Sequence, residues 1–291
     1  MKKKFNYEDV FMGVPDLKKG FKRSFVDDYR LKRLTDFLKM RKGKLLDIGS
    51  GGGITTESFS YYYPGIKIYG CDVSKQAITY AKKLGSGKVT YAVIRNKKLP
   101  YKNNTFDAIT CMDVLEHIPD VDFFMKEVKR ILKKNGKFFL LVPTEGQQFT
   151  HTWFWQKIGI GKTMTFRRYG HIHPEFTHEY IAELLKKYNF KISKRAYSEH
   201  ALFQLITLFT YFFPMEVMEF FLGKKANKYS DREVVKANLQ GKKDFDILMQ
   251  FRNFWWFIIN NTRRMTLWEL DLLKGIPMTA WKSITLSTNI K

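Results

Sequence analysis

Two groups of residues have types and spacing that could do chemistry. The first is LLDIGSGGGITTE, residues 45 to 57. An apolar run ends in Asp47, and Gly49, Gly51 and Gly53 follow at alternate positions. Glycine lets a backbone take positive φ and come close to a ligand. Such a loop after a strand holds a phosphate or an adenosine. A nucleoside triphosphate calls for a Gly-Lys-Ser/Thr ending, and none occurs. A dinucleotide calls for Gly-x-Gly-x-x-Gly or Ala. Counted from Gly49 the last position is Ile54, and counted from Gly51 it is Thr56, so NAD is disfavoured as well. Asp72 closes a second apolar run, IKIYGCDV, where a carboxylate can accept both hydroxyl protons of a ribose.

The second group is ITCMDVLEHIPD, residues 109 to 120, with the later RRYGHIHPEF. His117 and His171 are the candidate proton acceptors, with His173 the alternative to His171. Spacing of three and four would put Asp113, Glu116 and His117 on one helical face. Carboxylates and an imidazole could hold a divalent cation. The plainer alternative is that His117 caps or hydrogen-bonds locally, and no metal ligand is assigned. Arg167 and Arg168 would hold an anionic acceptor or face water.

Elements of a defined kind must position these residues. KLLDIG, IKIYGCDV, KVTYAVI, FDAITCM and KFFLLVP are short apolar strands. TTESFSYYY, SKQAITYAKKL and DVDFFMKEVKRILKK are helices between them, the last with Phe124, Val128, Ile131 and Leu132 on one face. A further helix starts near Ser24, with Ser24 and Asp27 as a capping box. Strands alternating with helices over residues 44 to 143 predict a doubly wound, mostly parallel sheet. Ligands in such a sheet bind at the carboxyl ends of the strands, where the glycine loop lies.

The glycine pattern with Asp47 resembles motif I of the class I S-adenosylmethionine-dependent methyltransferases. LPYKNNTFDAI, ITCMDVLEHIPD and LKKNGKFFLLVP also fit that superfamily, over about residues 40 to 145, with a weaker match over residues 170 to 192. The resemblance implies a Rossmann-like, seven-stranded α/β fold. It implies S-adenosyl-L-methionine as cofactor, with Asp47, Gly49, Gly51, Gly53, Asp72 and Met112 around it. Many relatives carry an acid that reads the adenine amino group where this chain has Arg95. Arginine cannot accept from an amino group, so Asn96 or a backbone carbonyl is expected to do so. Asp113-x-x-Glu116-His117 beside Cys111-Met112 is similar to the ubiquinone-pathway O-methyltransferases, in which the cluster has been linked to a divalent metal.

The chain divides into a basic segment and helix (1–43), a cofactor-binding core (44–145), an acceptor-side loop, helix and strand (146–200), and a helical, aromatic-rich cap with a final helix and strand (201–291). Residues 201 to 222 are the most apolar stretch, yet Pro214, Gln204, Glu216 and Glu219 interrupt them, so a spanning helix is not expected. With FWWFII, residues 254 to 259, they form a cap or an interfacial surface. The 291 residues carry 51 Lys and Arg against 28 Asp and Glu, a formal net charge of +23. That balance points to an anionic partner: a membrane surface, a nucleic acid or an acidic substrate. Cys71 and Cys111 end apolar runs and predict core thiols in a reducing, cytoplasmic compartment. MKKKFNYEDV has no apolar run behind it, so a secretory signal is not expected.

The function expected is methyl transfer to a small or amphiphilic acceptor, a quinone, lipid or lipid-linked sugar, as O-methylation at a membrane surface. RNA methylation and a non-catalytic binding role are the alternatives. Against RNA methylation, CMDV stands where amino-directed nucleic-acid enzymes carry Asn/Asp-Pro-Pro-aromatic.

Overall fold

The computed structural model describes residues 29–148, 150–157, 159, 170–200 and 280–290. The expected capping box at Ser24, the pair Arg167 and Arg168, and the aromatic segments between 201 and 279 lie outside the described residues.

The elements run α1 (Tyr29–Leu38), β1 (Gly43–Ile48), α2 (Ile54–Tyr62), β2 (Ile66–Asp72), α3 (Lys75–Leu84), β3 (Val89–Val93), β4 (Phe106–Met112), a single 3-10 turn (Leu115–His117), α4 (Val121–Ile131), β5 (Leu132–Pro143), α5 (His151–Lys157), α6 (His178–Lys187), β6 (Phe190–His200) and β7 (Ala280–Ile290). Seven strands form one sheet in the order β3-β2-β1-β4-β5-β7-β6. β1 is parallel to β2 and to β4, and β4 to β5. β7 is antiparallel to both β5 and β6. The chain winds outward from β1 to β3, then returns to lay β4 on the other side of β1. That reversal opens a crevice above β1 and β4, the place where doubly wound sheets bind ligands.

Side chains alternate across each strand, so one strand feeds two cores. Leu46, Ile48, Ile109, Cys111, Phe138 and Leu140 face a layer built by α4 and α6, with Phe124, Val128, Ile181 and Leu185. Leu45, Ala108, Phe139 and Leu141 face Leu31, Leu34, Leu38 and Phe59 of α1 and α2. Both cysteines are buried free thiols, as their apolar contexts predict.

Three helices start on side-chain caps that satisfy orphan amides. Ser74 accepts from Ala77, Asp120 from Phe123 and Thr177 from Tyr180. α4 also anchors the long connection from β3 to β4. Its Glu127 accepts from the Leu99 amide, and Arg130 donates to the carbonyls of Leu99 and Tyr101. α4 stops at Ile131, earlier than its apolar stripe suggests, because Leu132 already pairs with Phe106.

Candidate active site

The glycine loop is built as a hydrogen-bonded shelf across the ends of β1 and β2. The amides of Gly49 and Ser50 donate to the Cys71 carbonyl, at 2.8 and 3.1 Å. The Gly51 amide donates to Oδ2 of Asp72 at 2.8 Å, and the Ser74 amide donates to Oδ1 at 2.9 Å. Gly49, Gly51 and Gly53 all have positive φ, at 75°, 50° and 91°. Their surroundings differ. A Cβ on Gly49 would lie 2.1 Å from Cγ2 of Val114, and one on Gly53 would lie 2.5 Å from the Tyr91 hydroxyl. A Cβ on Gly51 would meet nothing within 4 Å. Gly49 and Gly53 therefore serve packing, and Gly51 leaves the open space a ligand needs. Each oxygen of Asp72 already accepts one amide, and a carboxylate has about four acceptor positions. Room for ribose hydroxyls remains on this half-buried group.

Asp47 is placed below the loop, and its bonds run inward. Oδ2 accepts from Thr56 of α2 at 2.6 Å, and Oδ1 accepts from Thr110 of β4 at 2.8 Å. Burial lifts its pKa from 3.8 to about 6, against the opposing pull of the two threonine hydroxyls. Its carboxylate ties β1, α2 and β4 together at the floor of the crevice. Met112 is half-buried against the core layer of Leu45 and Phe139. Asn96 is exposed, with φ of 52°, in a tight loop closed by an Arg95–Lys98 bridge. That loop follows Ile94, whose amide donates to the Asp72 carbonyl.

Beyond Val114 the second group comes together, in a different set from the one the helical spacing suggested. Asp113 precedes the 3-10 turn with φ of 52°, so it does not share a helical face with Glu116 and His117. The partner that joins them is His171. Oε1 of Glu116 lies 3.8 Å from Nε2 of His117 and 3.8 Å from Nε2 of His171. The two imidazole rings sit edge to face, with centroids 5.0 Å apart. Glu116 is 1% exposed, so this carboxylate faces imidazole in place of water.

The segment 170–173 is laid along the turn by three hydrogen bonds. His117 Nδ1 bonds the Gly170 carbonyl at 3.2 Å, the Ile172 amide donates to the Glu116 carbonyl at 3.0 Å, and His173 Nε2 bonds the Ile118 carbonyl at 2.8 Å. His173 thus serves docking, with its Nδ1 on Glu175 and its ring stacked on Phe176. His171 turns into the cluster. A carbonyl only accepts, which assigns the proton of His117 to Nδ1 and leaves a lone pair on Nε2. Burial drives the His117 pKa down to about 4, with His171 adding to the shift, so the ring is neutral at pH 7.

Glu145 is a candidate-site residue that pattern reasoning missed. It is buried at the carboxyl end of β5, and its Oε1 lies 2.6 Å from Nδ1 of His171. The signal was its position, because an acid directly after a central strand faces the crevice. Glu57 was missed too. It is buried in α2 and accepts from the Tyr91 hydroxyl and from Ser86. This bond seats Tyr91 beneath Gly53.

The arrangement can hold a polar ligand over Gly51 and Asp72 and take a proton at the neighbouring imidazoles. Among the described residues, Glu116, His117 and His171 form a group able to ligate a metal ion.

Comparison with known proteins agrees with the fold. Residues 46–140 match the family model described as a methyltransferase domain. The chain is 38% identical over 122 residues to a ubiquinone biosynthesis O-methyltransferase of Pelagibacter ubique, covering 41% of this chain and 49% of that protein. It is 33% identical over 102 residues to the uncharacterized methyltransferase YcgJ of Bacillus subtilis, covering 34% of this chain and 40% of that protein. The chain thus spans about half the length or less of these curated relatives. A phosphoethanolamine N-methyltransferase of Haemonchus contortus, solved with S-adenosyl-L-methionine, superposes with a TM-score of 0.54 at 19% identity, over 90% of this chain and 52% of that one. Residues 46–140 thus match a methyltransferase domain, and the chain shares the fold of a methyltransferase solved with S-adenosyl-L-methionine.

Proposed function

We propose that this chain transfers the methyl group of S-adenosyl-L-methionine to a hydroxyl of a small or amphiphilic acceptor. The observation that carries this reading is the pairing of two sites across Val114. On one side Gly51 and Asp72 form an open cradle, and on the other Glu116, His117 and His171 form a buried polar cluster. The cofactor brings an already activated methyl, so the protein has to orient the partners and manage one proton. Asp72 would take the ribose hydroxyls, Gly49, Gly51 and Gly53 shape the shelf, and Asp47 holds it from below. Met112 and Asn96 lie at the ends of β4 and β3, on the adenosine side. The acceptor hydroxyl would be deprotonated at the cluster, with His117 and His171 as its working imidazoles. The acceptor oxygen then forms its bond to the methyl carbon as the carbon–sulfur bond breaks. S-adenosylhomocysteine leaves neutral at sulfur.

The acceptor class proposed is a quinone, lipid or lipid-linked sugar, met at an anionic membrane surface on the cytoplasmic side. The relative's name and the excess positive charge support it. No helix among the described residues is long and apolar enough to cross a membrane. Peripheral contact would fall to the apolar segments 201–222 and 254–259.

The test is a label transfer. Purified protein, methyl-labelled S-adenosylmethionine and host lysate are mixed, then separated into organic extract, RNA and small solutes. Label in the organic extract supports the reading. Label in RNA would replace it with a nucleic-acid methyltransferase guided by the +23 charge. No cofactor binding by calorimetry would leave only a binding role.

A further inference from the structure

We infer that Glu145 is a positioning residue of the proposed reaction: it fixes the His171 ring so that His171, and not His117, takes the acceptor's proton. This rests on the methyl-transfer reading above, but its first test needs no turnover, so the two fail separately. Oε1 of Glu145 lies 2.6 Å from Nδ1 of His171. An ionised carboxylate only accepts, so the ring proton belongs on Nδ1 and the lone pair on Nε2. His117 carries its proton on Nδ1 as well, but its partner is the Gly170 carbonyl, at 3.2 Å. The difference between the rings is charge. Taking a proton at Nε2 makes an imidazolium, which an anion on Nδ1 stabilises far more than a neutral carbonyl does. Burial pulls the His117 pKa down to about 4, which makes that ring the poorer acceptor. Glu116 does not choose between them, because its Oε1 lies 3.8 Å from both Nε2 atoms.

The bonding of Glu145 sets it apart from the acids that hold the fold, which are bonded by the scaffold at both oxygens. Asp47 accepts from Thr56 and Thr110, Glu57 from Tyr91 and Ser86, and Glu127 from Arg130 and the Leu99 amide. Glu145 is as deeply buried, at 2% exposure, yet Oε1 meets His171 and Oε2 has no hydrogen-bond partner among the described residues. Leaving a buried carboxylate oxygen unbonded costs stability, so this acid is poorly placed for a purely structural task. The backbone holds both members of the pair. The Glu145 carbonyl accepts from Oγ1 of Thr152 at 3.3 Å, and the Gly146 amide donates to the Phe176 carbonyl at 2.9 Å. The Ile172 amide donates to the Glu116 carbonyl at 3.0 Å. The segment around His171 is thereby tied to the end of β5 and to the turn after β4 at once.

The proton has one path. The acceptor hydroxyl gives its proton to Nε2 of His171 as its oxygen bonds the methyl carbon and the carbon–sulfur bond breaks. The imidazolium so formed is held against Glu145, which keeps its charge and takes no proton itself. S-adenosylhomocysteine and the methyl ether leave, and Nε2 gives the proton to solvent. His117 stays neutral and holds Gly170 on the turn.

The experiment uses the full chain, tag-free, labelled with nitrogen-15 histidine and saturated with S-adenosylhomocysteine at about pH 8, where a free imidazole is neutral. Long-range proton–nitrogen correlation spectra read which nitrogen of each ring carries the proton, and His171→Gln and His117→Gln assign the two rings. The expected result for His171 is the Nδ1–H form, with that proton shifted far downfield by the short bond to the carboxylate. In Glu145→Gln the proton should move upfield and an Nε2–H population should appear, because an amide can donate to Nδ1 as well as accept from it. The His117 ring should not change. Turnover is then read with methyl-labelled S-adenosylmethionine and the organic extract of host cells. Glu145→Gln should lower the rate about 100-fold or more with the KM for S-adenosylmethionine unchanged, and His117→Gln should lower it less than about 10-fold. Melting curves check that each variant folds. A parent His171 ring in the Nε2–H form, or protonated on both nitrogens, would overturn the pairing, as would a ring that Glu145→Gln leaves unchanged. A larger loss of rate in His117→Gln than in Glu145→Gln would overturn the choice of base. The Nδ1–H form with no label in any fraction would support the pairing and overturn the methyl-transfer reading.

Discussion

The amide of Gly51 donates to the carboxylate of Asp72 across 2.8 Å, so the loop after β1 and the acid closing β2 are one unit. A ligand seated on the shelf meets both at once. Asp72→Asn keeps a carbonyl oxygen for one amide but loses the charge and half of the acceptor positions. S-adenosylmethionine binding should fall roughly 10- to 100-fold, the loss of one or two charge-assisted bonds. Calorimetry on the variant, with a melting curve beside it, checks this. Unchanged affinity would remove Asp72 from the cofactor site.

Gly49 and Gly51 should respond to alanine in opposite ways. Both have positive φ, so each substitution costs about 1–2 kcal/mol of backbone strain. Gly49→Ala adds a collision with Val114 at 2.1 Å and should destabilise the chain well beyond that strain. Gly51→Ala meets only open space and should fold, but with weakened S-adenosylmethionine binding. Paired melting and binding measurements separate the two. If Gly51→Ala binds as tightly as the parent, the ligand does not lie over that residue.

The framework of the site was legible because it rests on local patterns. Alternating strands and helices placed the glycine loop at the carboxyl end of β1, and the structure adds the switch between β1 and β4. Asp72 was legible from its place at the end of β2. The inward role of Asp47 was not, because its partners Thr56 and Thr110 are brought by α2 and β4. The cluster was half legible. Glu116 and His117 are neighbours in sequence, but choosing His171 over His173 depends on which ring docks on Ile118. Spacing misled at Asp113, because the stretch forms a 3-10 turn preceded by a left-handed residue, and the three-and-four rule holds only along an α-helix.

Tyr91 and Glu57 should matter for stability and indirectly for the loop. The Tyr91 hydroxyl donates to Oε1 of Glu57 at 2.9 Å, and Tyr91 lies against Gly53 and Gly70. Tyr91→Phe keeps the packing and removes one partner of a buried carboxylate, at a cost of about 1–3 kcal/mol. For a domain of this size each kcal/mol lowers Tm by roughly 2–4 °C. Thermal melts of parent and variant read the difference. A change below about 1 °C would show that Ser86 alone satisfies Glu57.

The pH dependence of stability should carry opposed contributions, from His178 and His117 on one side and Asp47 on the other, and variants at His178 and Asp47 separate them. His178 is buried beside Tyr197, and burial lowers its pKa from 6.5 to about 4. Between those values the unfolded chain binds more protons than the folded one. The stability it lends at neutral pH is therefore lost as pH falls from about 6.5 to 4. Asp47 behaves in reverse, because its folded pKa is raised from 3.8 to about 6. Above pH 6 its buried charge lowers stability, and that penalty is relieved as pH falls from 6 towards 3.8. At about 1.4 kcal/mol per pH unit, the windows are worth at most about 3 to 3.5 kcal/mol. Denaturant unfolding at pH 8 and pH 4.5 should show His178→Gln losing less stability on acidification than the parent. Asp47→Asn should lose more, because it lacks the proton uptake that offsets the histidine. Equal losses in the parent and both variants would mean that neither group titrates across the folding equilibrium.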